Sequence, residues 1–89
     1  MDAPDYLRPA LAIALAEARH AAGPTQPQLA DFSGLALSYV AAIEGGAASC
    51  SLESLYALTR ALQVDAADFL GRVKELRAIG PSISRLKTR

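Results

Sequence analysis

A single cysteine, Cys50, and a single histidine, His20, leave this sequence without the means for two kinds of chemistry. One thiol cannot build an intramolecular disulfide framework, and one thiol with one imidazole supplies no metal-ligand cluster. His20 is also the one conventional imidazole base, expected as a solvated side chain on the polar side of a helix. No nucleophile spacing, glycine-rich phosphate loop or metal motif surrounds it. Neither catalysis nor a cofactor is therefore expected. Nothing approaches the roughly 20 consecutive apolar residues of a membrane span, and the opening Met1-Asp2-Ala3-Pro4-Asp5 lacks the basic start of a signal peptide. The expectation is a cytoplasmic chain with no membrane contact. Internal repeats and low-complexity segments are also missing.

Basic residues are scarce over most of the length. Residues 1 to 71 hold three of them (Arg8, Arg19, Arg60) against eight acidic residues (Asp2, Asp5, Glu17, Asp31, Glu44, Glu53, Asp65, Asp68), a balance of −5. Residues 72 to 89 hold six (Arg72, Lys74, Arg77, Arg85, Lys87, Arg89) against Glu75, a balance of +5. An acidic body with a basic tail is the reverse of what a phosphate-binding module would show.

What is present is apolar residue at helical spacing. With 89 residues and 52% hydrophobic composition, the chain suits one small domain with a modest core. A first helix is expected to begin between Tyr6 and Pro9, with the proline tolerated in its opening turn, and to end near Ala22 before Gly23-Pro24. Leu7, Leu11, Leu15, Ala18 and Ala22 form its apolar stripe. Ile13 lies on another face and reads as a scattered exposed residue, with a partner contact as the alternative. In Thr25-x-x-Gln28 each residue's side chain can bond the other's amide, a capping box opening a helix of about two turns whose Leu29, Ala30 and Phe32 would face inward. Gly34 can take positive φ and turn the chain sharply. A helix from about Leu37 to Glu44 follows, with Val40 and Ile43 on one side and Leu37, Ser38, Ala41 and Ala42 on the other, and Gly45-Gly46 ends it.

Ser51 is placed to cap a fourth helix running to about Leu62, with Leu52, Leu55, Tyr56, Thr59 and Leu62 along one side. Cys50 before it reads as small, inert and partly buried. Asp65, with Asp68 three positions on, marks a fifth helix from about Ala66, with an apolar stripe of Ala66, Phe69, Leu70, Val73 and Leu76 and a possible Asp68–Arg72 pair. Gly80-Pro81 stops it. The fold class is thus all-α, a compact five-helix domain over residues 1 to 80, followed by a basic, flexible tail over 81 to 89.

Two short helices joined by Ser33-Gly34-Leu35, with Arg19, Gly23, T-Q-x-x-L-A at 25 to 30, I-E-x-G at 43 to 46 and S-L-E-S-L-Y-A-L-T-R-A-L-Q-V at 51 to 64, resemble the lambda repressor and Cro (XRE) family of helix-turn-helix domains. The likeness runs from about Leu11 to Val73. It implies that Arg19 pairs with Glu44, tying the first helix to the third. It also implies that relatives often carry proline where Cys50 stands, and that the last helix contributes to a homodimer, here through Phe69, Val73, Leu76 and Ile79, with packing only within the domain as the alternative.

The family's usual partner is double-stranded DNA, read by the second helix of the motif in the major groove. Carried over by position, the base readers would be Leu37, Ser38 and Ala42, with Ala36 and Ala41 beside them. Gln26 would face a phosphate, and Gln28 and the tail residues Arg85, Lys87 and Arg89 would add affinity. Ala36, Ala41 and Ala42 can make no base hydrogen bond, and the Arg, Lys, Gln or Asn common in relatives is missing here. The reading is a DNA-binding transcriptional regulator, repressor-like. The alternative is the same fold turned into a protein-interaction module, such as an antitoxin, co-regulator or anti-repressor, meeting another regulator or a toxin.

Overall fold

A computed structural model describes residues 5–80, and these form five helices: α1 (Leu7–Ala22), α2 (Gln26–Ser33), α3 (Leu37–Glu44), α4 (Leu52–Leu62) and α5 (Ala66–Ile79). The tail contacts expected at Arg85, Lys87 and Arg89 lie outside the described residues.

Four of the five helices begin where a nearby side chain offers a partner for a free amide. Asp5 Oδ1 accepts from the Leu7 amide at 3.1 Å, Ser51 Oγ from Ser54 at 3.1 Å and Asp65 Oδ2 from Asp68 at 3.0 Å. The capping box of α2 is complete, with Gln28 N–H to Thr25 Oγ1 at 3.2 Å and Thr25 N–H to Gln28 Oε1 at 2.9 Å. Helix α3 differs: Ala36 stands at its cap and no side chain covers its first amides. Between α2 and α3, Gly34 adopts φ 74°, a left-handed conformation that a side chain would strain.

Helix α1 is the spine. It packs against α5 and α3 and touches α4, so that Ala10, Leu11, Ala12, Ala14 and Leu15 are all buried over a single stretch. This wraps more of the helix than one stripe would. Ala10, outside the expected stripe, is fully buried, and Ile13 packs partly buried against the core. The ends of the stripe, Leu7 and Ala22, are exposed. Leu29, Val40, Ile43, Leu58 and Leu76 complete the centre.

Several inward assignments are corrected by helical phase. At about 100° per residue, Leu29 and Ala30 set the inward direction of α2, and Phe32 falls roughly 110° away from it. Phe32 is 64% exposed, while Ser33 points toward the core and donates to Ala30 O at 3.3 Å. The same displacement applies to Tyr56 on α4 and Leu70 on α5, both exposed, and Leu58 takes the inward place that the reading gave to Tyr56. Leu52 lies in the first turn and is exposed as well. Arg72 does not pair with Asp68. It forms two bonds to Glu17 on α1, at 2.8 and 2.7 Å, and a longer one to Glu75 at 3.4 Å. A partner on a facing helix positioned both carboxylate oxygens for the guanidinium fork, which a neighbour at i−4 did not.

Candidate nucleic-acid interface

Val40 and Ile43 are fully buried, and they fix which way α3 rolls. The opposite face is set by the same spacing: Leu37 and Ser38 are exposed, Ala41 and Ala42 half-buried, and Ala36 exposed just before them. Leu37 is 46% exposed. Ser38 is the one side chain on this face able to make a hydrogen bond.

Beneath it, a buried charge pair holds the motif. Arg19 of α1 meets Glu44 at the end of α3 in a bidentate arrangement, Nε to Oε2 at 2.6 Å and Nη2 to Oε1 at 2.9 Å. The side chains are only 12% and 6% exposed. Arg19 Nη1 also donates to Pro24 O at 3.2 Å, joining the α1–α2 link to the same group. Gln26, the first residue of α2, donates from Nε2 to Glu44 Oε1 at 3.0 Å. Three helices thus converge on one carboxylate. Burial pushes the Glu44 carboxyl up, but the bonds from Arg19 and Gln26, with the charges of Arg19 and His20, outweigh it and hold the group below its ordinary 4.5. The pair is therefore ionised at neutral pH and orients Gln26 at the mouth of the motif.

Two further residues brace the region and were not singled out from the sequence. The Tyr39 hydroxyl accepts from the Ser51 amide at 3.3 Å, pinning α3 to the start of α4. Arg8 on α1 donates from Nη1 to Ala47 O at 3.4 Å, which places a cation beside the loop after α3. A tyrosine next to the buried Val40 and an arginine in the first turn of α1 carry no spacing that would announce these long-range contacts. In that loop the amides of Ala47 and Ala48 both turn back to Ala42 O, at 2.9 and 3.2 Å. Cys50 is half-buried, and burial pushes its thiol up, away from the reactive thiolate.

The residues carried over by position are therefore distributed unevenly. Leu37, Ser38, Ala41 and Ala42 share one face, and Gln26 is tied to the end of their helix. Gln28 uses its carbonyl oxygen in the capping box. Of the four residues assigned to a dimer face, Phe69, Val73 and Leu76 are buried in the domain's own core, at 6%, 4% and 0% exposure. Ile79 remains at the surface.

Two short helices crossing at a glycine turn, a third helix locking them through a buried Arg–Glu pair and an outward α3 define a helix-turn-helix domain. Residues 10–70 match the family model for the helix-turn-helix domain, and the chain belongs to that family. It is similar in structure to the clp gene regulator ClgR from Corynebacterium glutamicum, at 30% identity and a TM-score of 0.79 over 92% of this chain and 87% of that one. The restriction-modification controller protein C.AhdI from Aeromonas hydrophila is also similar, at 34% identity and a TM-score of 0.67 over 70% of this chain and 94% of that one. The controller protein C.Esp1396I shares the fold, at 24% identity and a TM-score of 0.73 over 81% of this chain and 95% of that one. No curated protein sequence gives a significant match.

Proposed function

We propose that this protein is a DNA-binding transcriptional regulator, repressor-like in action, which inserts α3 into the major groove of duplex DNA. The observation that carries this reading is the free outer face of α3, with Gln26 held at its edge by the Arg19–Glu44 pair. Family membership and the likeness to the regulators ClgR and C.AhdI support it. The uncapped amides at the start of α3 and the Arg8 side chain beside the following loop suit nearby phosphates. The basic residues Arg85, Lys87 and Arg89 add electrostatic attraction. A cytoplasmic location follows from a DNA target, and no helix among the described residues is long and apolar enough to cross a membrane.

The protein acts as a homodimer in this account. With Phe69 and Leu76 used internally, the surface for a second copy is the apolar groove where Leu7, Leu52 and Leu70 are exposed around Leu11, Leu55 and Val73, with Ile79 further along α5. A dimer that reads two half-sites needs its two α3 helices at successive major grooves, about 34 Å apart. Mass measurement should show a dimer, and Leu70→Glu should give a folded monomer.

The test of DNA binding uses duplexes from the region upstream of the gene and from elsewhere in the genome, at about 50 and 200 mM salt. Selective binding that weakens steeply with salt is expected. One observation favours a second reading, a protein-interaction module: the α3 face holds a leucine and three alanines and no charge. Leu37→Glu with Ala42→Glu separates the two, because loss of a protein partner in a folded domain that never bound duplex would place the partner there.

A further inference from the structure

If α3 enters the major groove, as proposed above, its side chains leave little with which to read hydrogen-bonding base edges. Glu44 is occupied by Arg19 and Gln26, and the Tyr39 hydroxyl, accepting from the Ser51 amide, is held at the start of α4. Gln28 has its carbonyl oxygen in the cap of α2, and Gln26 has its amide nitrogen on Glu44. What α3 itself presents is Leu37, Ala41 and Ala42, with the Ser38 hydroxyl among them.

The major-groove edges of the four bases carry donors and acceptors, and one apolar group, the C5 methyl of thymine. An apolar side chain against that methyl removes both from water. The same side chain against a G·C edge covers acceptors and a donor without replacing their bonds to water, which is unfavourable. Short side chains at 41 and 42 also let the helix backbone come close to the groove floor, within reach of a methyl. Leu37, in the first turn, projects furthest.

We infer that this protein selects its DNA site through thymine methyl groups, with Leu37, Ala41 and Ala42 as the methyl contacts and Ser38 as the one hydrogen-bonding reader on α3. The inference rests on the DNA-binding reading, and it commits that reading to a chemical group. Specificity resides in a hydrocarbon contact, and removing one carbon atom per thymine abolishes it without altering base pairing.

The experiment starts from a pool of randomised duplexes, from which the full chain selects its tightest binders at about 50 mM salt. The selected duplex is then made again with deoxyuridine in place of thymidine, which deletes only the C5 methyl. Each buried methyl contributes about fourfold in affinity, so loss of two or more across a dimer site should weaken binding by roughly tenfold or more. Deoxyuridine confined to the flanks should change nothing. Leu37→Ala, at a surface position that leaves the core intact, should shrink the thymidine-to-deoxyuridine ratio, and an unchanged ratio would remove Leu37 from the assignment. Equal affinity for the two duplexes would overturn methyl reading while leaving DNA binding standing. Failure to bind any duplex would overturn the DNA-binding reading and the inference with it.

Discussion

Two arginine–glutamate pairs in this small domain have nearly the same geometry and different surroundings. Arg19–Glu44 and Arg72–Glu17 are both bidentate, with bonds of 2.6 and 2.9 Å in the first and 2.8 and 2.7 Å in the second. The first pair is 12% and 6% exposed and the second 43% and 45%. Bond length therefore does not rank them. Burial makes the first pair costly to break, because a surviving partner keeps its charge without water, whereas either member of the second returns to solvent. The buried pair also carries Gln26, so the electrostatics of the core and the shape of the proposed DNA surface are one arrangement.

The largest effect should come from cutting the buried pair on one side. Arg19→Ala should lower stability by about 3–5 kcal/mol in urea unfolding, a large part of the total for a domain of this size. Replacing both members with apolar residues, Arg19→Met with Glu44→Leu, should recover most of that loss, since a well-packed apolar pair is often neutral or stabilising. This variant should still bind duplex DNA poorly, because Gln26 has lost its anchor. Full DNA affinity in the double variant would separate the brace from the surface.

Acid should act on both pairs through their carboxylates. Glu17 is held below its ordinary 4.5 mainly by its hydrogen bonds from Arg72, and Glu44 is held below it despite burial. A carboxyl with a depressed folded pKa takes up protons more readily in the unfolded chain, so its stabilisation is complete above the ordinary value and lost as pH falls through the depressed one. Urea midpoints should be flat above about pH 5 in this respect and fall below about pH 4.5. Glu44→Gln and Glu17→Gln should each flatten that acid limb, since each removes one carboxyl whose folded pKa is depressed. The smallest effect belongs to Arg72→Ala, expected to cost less than about 1 kcal/mol and to leave DNA binding unchanged.

Much of this architecture was legible in the sequence because capping chemistry is local. Thr25 with Gln28, Ser51 and Asp65 announced where helices begin, and Gly34 where the chain turns. The family motifs placed Arg19 opposite Glu44 before any distance was known. Facing directions were less legible, since an apolar residue such as Phe32, Tyr56 or Leu70 looks like core in a sequence even when helical phase turns it outward. Long-range polar contacts outside the family motifs were not legible: Arg72 reaches 55 positions back to Glu17, and Tyr39 to the amide of Ser51. Phe69, Val73 and Leu76 show the same limit from the other side, because a stripe on a terminal helix fits a dimer face or a core equally well until the neighbours are known.

The most direct test is a titration of the isotope-labelled full chain with its selected duplex, followed amide by amide by NMR. The account predicts that the shifted amides cluster at Gln26, Gln28, Ala36 to Ala42 and the loop after Gly45, while the centre of α5 stays still. Shifts concentrated on α5 or on the exposed edge of α4, with α3 unmoved, would contradict it.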